Sequence, residues 1–189
     1  DQALEDGEID LAVYQHKPFM ENFNQQKNAH LTAIGNAILM RMGIYSNSVK
    51  DVKDIPDGAV ISIPNDPTNE GRGLQLLQEA GLIRLKEGVG NAATPADITE
   101  NPKNLQFREL EAAQLPRSLD DVSASVITMN YVMSAGLSPK DQGIFLEAKD
   151  NPLAVMIIAA REKDKDDPAY TQFVQAYQSD AVKQFIAET

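Results

Sequence analysis

Ala59-Val-Ile-Ser-Ile63 is a short apolar run, and Pro64-Asn-Asp-Pro-Thr68 closes it at once. Leu74, Leu77 and Ala80 then recur on one helical face until Gly81. A buried strand, a tight turn and an amphipathic helix in that order form the repeating step of an α/β fold. Thr68 fits the helix N-cap and Gly81 its stop. The same step recurs along the chain. Ala33–Met40, Leu82–Lys86, Leu105–Glu111, Ser123–Thr128, Gly143–Glu147 and Ala154–Ala159 read as strands. Leu115–Asp121 reads as a short helix, and Thr94-Pro95-Ala-Asp97 as a capped helical turn. A helix ended by Gly136 follows Thr128. Asp167-Pro168 opens another helix, with Tyr170, Phe173, Val174 and Tyr177 on one face. Ser179 opens the last, with Val182, Phe185 and Ile186 facing inward.

The alternation predicts an α/β class with largely parallel sheets. Polar stretches separate the strands into two groups, which suits two small lobes. Residues 1–46 with 135–189 form the expected first lobe and residues 47–134 the second. The chain would cross between them near Tyr45-Ser46 and near Val132–Ala135. At the start, Asp1–Gly7 reads as the last turns of a helix stopped by Gly7, and Ile9–Val13 as a strand. A domain seldom opens in the middle of a helix, so a preceding segment is expected.

Composition narrows the function. Lys and Arg number 17 against 28 Asp and Glu, a net charge of −11, which argues against nucleic acid or an anionic membrane surface as partner. The sequence contains no Cys, so it offers no disulfide, thiolate nucleophile or Cys-based zinc site. Gly71-Arg-Gly73 lacks the glycines and Lys of a phosphate loop, and no nucleophile elbow or zinc-protease signature occurs. Neither cofactor nor metal is expected, and no catalytic residues. Glu109 and Glu111 beside Asp120-Asp121 read as a solvated acidic face.

Two places can bind a small molecule. Tyr14-Gln15-His16 with Phe19 follows a strand, where ligands sit in open α/β sheets. Its ordinary reading is a capped strand with a solvated His; its functional one is a hydrogen-bonding His between aromatic walls. Pro64–Arg72 is a strand-to-helix turn with free N–H groups and an Arg one turn into the helix, suited to a carboxylate. Its ordinary reading is a capped helix with a solvated Arg.

The order of several motifs resembles one family. Asp6-Gly-Glu-Ile-Asp10, Gln15-His16-x-Pro18, Met42-Gly-Ile-Tyr-Ser46 and Ile63-Pro-Asn-Asp-Pro-Thr-Asn-x-Gly-Arg72 look like the NlpA-type lipoproteins. These are the methionine-binding subunits of bacterial ABC importers. Ala80-Gly-Leu-Ile-x-Leu-Lys86, Asn101-Pro-Lys103 and Glu109–Asp121 extend the resemblance over nearly the whole chain. It implies a two-lobed, type II periplasmic-binding-protein-like fold that closes on an amino acid, methionine or a related amino acid or short peptide. It also implies an ABC permease as partner, no enzyme activity, and a lipid anchor outside this chain at the cell surface or in the periplasm. A strand, helix and further strand, with a cleft Tyr, precede this segment in the family. The first lobe is thus expected to lack its N-terminal part.

The same resemblance assigns the site. His16 matches the cleft His, and Arg72 the Arg that holds the substrate carboxylate. Tyr14 stands where Phe is usual and Phe19 where Tyr is frequent, which keeps an aromatic wall for a thioether. Thr128 and Val155 replace two cleft Asn residues, Asn130 lies two positions past the first, and Arg41 stands where Pro is usual. Each lost hydrogen bond to a charged group costs about 1.5–3 kcal/mol. A surface interaction protein that kept the fold and lost the methionine site is the alternative.

Overall fold

The computed structural model describes residues 1–188. The chain forms two compact units, residues 1–39 with 152–189 and residues 40–151.

In chain order, unit one begins with α1 (Gln2–Glu5), α2 (Lys17–Lys27) and β1 (Leu31–Leu39). Unit two contains β2 (Met42–Tyr45), β3 (Val60–Pro64), α3 (Pro67–Glu79), β4 (Arg84–Leu85), β5 (Ile98–Glu100) and β6 (Gln106–Leu110). It continues with α4 (Leu115–Ser118), β7 (Ala124–Thr128), α5 (Met129–Ser134), α6 (Pro139–Gln142) and β8 (Gly143–Leu146). Unit one resumes with β9 (Val155–Arg161), α7 (Pro168–Tyr177) and α8 (Asp180–Glu188).

The boundaries differ from the sequence expectation. Expected first-lobe strands β2 and β8 belong to unit two, because β2 pairs with β7 on one side and β8 on the other. The chain therefore changes unit near Leu39-Met40 and Asn151-Pro152. Apolar content gives a strand, but not the sheet it joins.

Unit two is built on a five-stranded sheet ordered β6-β3-β7-β2-β8. Only β6, β3 and β7 run parallel, while β2 is antiparallel to both neighbours. The expected largely parallel sheet is thus a mixed one. Ile61, Ile63, Ile44, Val126, Leu74 and Leu77 form its core with α3. Asp66, rather than Thr68, caps α3: its side chain accepts from Asn69 N, and Pro67 takes the first helical position. Gly81, at φ +74°, ends the helix as expected.

Gly71 permits a closer approach. A Cβ there would lie 2.0 Å from the Asn91 carbonyl oxygen, so α3 can rest on the 90–92 turn only with a glycine. Gly73 faces Val126 and Met42 in the sheet, its built Cβ 3.1 Å from Val126 Cγ1.

In unit one, β1 and β9 form a two-stranded antiparallel sheet. Leu4, Ala12, Met20, Leu31, Ile157 and Ala159 pack together as its core. The expected strand at Ile9–Val13 is reduced to one bridge between Ala12 and Ala159. Helix α2 has sequence signals that the strand reading passed over: Pro18 in its first turn, Met20 and Phe23 one turn apart, and Asn28 as a left-handed C-cap. Helices α7 and α8 form where the caps place them, but no α7 residue is buried. Phe173 is 40% exposed, and Phe185, expected to face inward, is 69% exposed. Val174 of α7 packs over Gly35.

Candidate functional site

Unit one brings Tyr14, His16 and Phe19 together. His16 is buried and stands at the N-cap of α2, held by an antiparallel bridge to Met156. Phe19 lies on the first turn of α2, where Phe19 N donates to the His16 carbonyl at 3.1 Å. The His16 and Phe19 rings are 6.4 Å apart and tilted at 40°. Tyr14 meets Phe19 edge-on at 6.3 Å and 74°. Tyr14 is 54% exposed. Desolvation of part of the ring raises the Tyr14 phenol above its ordinary value. These three side chains form one aromatic face with a buried imidazole at its base.

Val155 opens β9 next to Met156, the residue bridged to His16. Its side chain lines a depression of mixed character, with Met20, Leu31 and Pro152 beside Lys17, Glu21 and Asn24.

In unit two, Arg72 sits on the second turn of α3 and is 2% exposed. The solvated reading of this Arg is therefore wrong. Its Nε donates to Glu147 Oε1 at 2.7 Å and its Nη2 to Glu147 Oε2 at 2.5 Å. Nη2 also donates to the Met40 carbonyl at 3.0 Å. Glu147 lies just past β8, is 1% exposed, and accepts from Met42 N at 2.7 Å and Asn151 Nδ2 at 3.3 Å. Its own N donates to the Met42 carbonyl. A two-pronged Arg–carboxylate pair fixes the guanidinium plane. Glu147 was not among the sequence candidates. No local pattern could reveal it, since its partner lies 75 residues away. Among the described residues Arg72 Nη1 makes no hydrogen bond, while Nε and Nη2 are engaged.

Thr128 ends β7, opposite Met42 in the register, and is buried. Met42 thus joins Thr128 to the Arg72–Glu147 pair. Asn130 is exposed on α5, its carbonyl engaged by the Ser134 hydroxyl. Thr128, not Asn130, lies beside the buried pair along β2. Arg41 precedes β2 and donates from Nε to the Glu147 carbonyl at 2.5 Å. The acidic residues Glu109, Glu111, Asp120 and Asp121 are all exposed. No group of three metal-ligating side chains occurs among the described residues.

Unit two thus holds a buried arginine fixed by Glu147, and unit one an aromatic–imidazole face. The family model of the NlpA lipoproteins matches residues 1–189, and the chain belongs to that family. It is 47% identical over 183 residues to the D-methionine-binding lipoprotein MetQ of Escherichia coli O157:H7, covering 96% of this chain and 67% of that one. It is also 47% identical over 182 residues to Lipoprotein 28 of Escherichia coli K12, covering 95% of this chain and 66% of that one. A nutrient-binding protein from Burkholderia cenocepacia, solved bound to methionine, matches with TM-score 0.93 and 46% identity. That match covers 98% of this chain and 78% of the other. Immunogenic lipoprotein A of Vibrio vulnificus matches with TM-score 0.95 and 44% identity, over 99% and 81%. The chain thus spans about two thirds of the length of its curated relatives.

Proposed function

We propose that this chain is the substrate-binding part of an ABC importer and takes methionine or a close amino-acid relative. The observation that carries the reading is the buried Arg72, fixed by Glu147 with Nη1 left to donate, in a chain 46% identical to a protein solved with methionine. The Arg72 guanidinium would hold the ligand carboxylate. Tyr14, His16 and Phe19 would receive the side chain, since a thioether packs well on aromatic edges. Thr128 would supply one hydroxyl, and Val155 only an apolar wall. Asn130, exposed on α5, would leave its side chain free to reach a ligand. The protein performs no chemistry in this reading. It hands its ligand to a membrane permease while held outside the cytoplasmic membrane by a lipid anchor. No helix among the described residues is long and apolar enough to cross a membrane.

The test is mass spectrometry of the ligand released when the purified full-length protein is denatured, followed by calorimetry with that compound. Methionine or a related amino acid is expected at one equivalent. Release of nothing, together with no heat from any amino acid or short peptide, overturns the reading and favours the surface interaction protein.

A further inference from the structure

We infer that Arg41 is the specificity-determining cation for the ligand carboxylate, a proposal that rests on the amino-acid-binding reading above. The argument is one of charge balance. Arg72 is the residue whose position suits a carboxylate, but Glu147 already neutralises it. Glu147 occupies its Nε and Nη2 through two short bonds, both partners almost completely buried. A second carboxylate arriving at Nη1 meets a pair whose net charge is zero. It would also lie close to the Glu147 carboxylate, and like charges repel strongly where water is scarce.

Arg41 changes that balance. Its Nε reaches the Glu147 carbonyl, so its guanidinium is anchored on the residue that Arg72 grips by the side chain. Among the described residues Arg41 forms no ion pair with any Asp or Glu, and its two terminal nitrogens make no hydrogen bond. It is half-buried rather than solvated. Its main chain is fixed as well: the Arg41 carbonyl accepts from Met129 N, next to Thr128. Arg41, Arg72 and Glu147 together carry a net charge of +1. Tyr45 feels the charge of the same cation. Its hydroxyl is buried with no partner among the described residues, and the Arg41 charge acts on it. A half-buried, unpaired guanidinium beside a neutralised one is suited to accept an anion, and forks favour carboxylates. The ligand carboxylate is therefore shared between Arg72 Nη1 and the Arg41 fork.

Calorimetry on the full-length protein tests this. The twenty L-amino acids and D-methionine are screened, and the tightest binder is compared with its carboxamide, which keeps the ammonium and side chain but lacks the carboxylate. Arg41→Gln should weaken the acid by about tenfold or more and the amide by less than about twofold. Arg41→Lys, which keeps the charge, should recover most of the loss. Unchanged affinity for the acid in Arg41→Gln overturns the proposal. So does an equal loss for acid and amide, which marks a structural role. If the wild type binds none of these amino acids, the amino-acid reading itself falls, and this inference with it.

Discussion

The Arg72 guanidinium and the Glu147 carboxylate, 75 residues apart, meet through two hydrogen bonds of 2.7 and 2.5 Å with both side chains almost fully buried. The pair also ties Met40 and Asn151, the two residues at which the chain enters and leaves unit two. Removing one partner leaves a buried charge alone. Glu147→Leu should therefore destabilise unit two by about 3–5 kcal/mol in urea unfolding. The double variant Arg72→Met with Glu147→Leu should recover most of that loss, since a buried ion pair is often replaceable by apolar side chains. A double variant as unstable as the single one would show that the bonds to Met40 and Met42 matter more than the charge.

Gly71 and Gly81 separate crowding from backbone conformation. Gly71 is helical, but a Cβ there would lie 2.0 Å from the Asn91 backbone oxygen, which cannot rotate away. Gly71→Ala should cost about 1–3 kcal/mol or more by overpacking. Gly81 has open space but φ +74°, so Gly81→Ala should cost about 1 kcal/mol from left-handed strain. Thermal unfolding of both variants checks the order; a Gly71→Ala protein as stable as the wild type would mean that the 90–92 turn moves freely.

Tyr45 bears a cost that a single atom explains. Its hydroxyl is buried without a partner among the described residues. An unsatisfied buried polar group costs about 1–3 kcal/mol, so Tyr45→Phe should be neutral or stabilising by about 1 kcal/mol. Burial also pushes the phenol up to about 12, with the Arg41 charge pulling in the opposite direction. Below pH 10 the phenol is neutral in both states and adds no pH dependence. Between pH 10 and about 12 the unfolded chain ionises first, so stability falls as pH rises. Urea midpoints across that window should decline less steeply in Tyr45→Phe than in the wild type.

Thr128 offers a gain rather than a loss. It is the N-cap residue of α5 and its side chain makes no capping bond. Asn is an equally good N-cap, so Thr128→Asn should fold normally. It adds an amide donor beside the Arg72–Glu147 pair, and a hydrogen bond to a charged ligand group is worth about 1.5–3 kcal/mol. Methionine affinity should rise by about tenfold, read by calorimetry. No change would place the ligand away from the end of β7.

Local chemistry settled much of this protein in advance. Strand β3 is the run Ala59–Ile63 shifted by one residue, because β-branched side chains crowd a helix and fit a pleat. Gly81 and Gly136 stop helices because they take φ values that other residues reach only with strain. Asp167 caps α7 through its side-chain bond to Ala169 N, a contact two residues long. The motif order also identified the family, since the residues that carry it are contiguous in the chain. Tertiary structure decided the rest. Which sheet β2 and β8 join depends on strands up to a hundred residues away, and sequence period carries no such address. Helices α7 and α8 carry apolar stripes, yet Phe173 and Phe185 stand exposed, and no local pattern tells which part of a stripe is covered. Arg72 shows the limit most plainly. Its side-chain type suited it to grip a carboxylate, and the fold supplied one from Glu147, because a guanidinium removed from water must be paired wherever the chain can bring a partner.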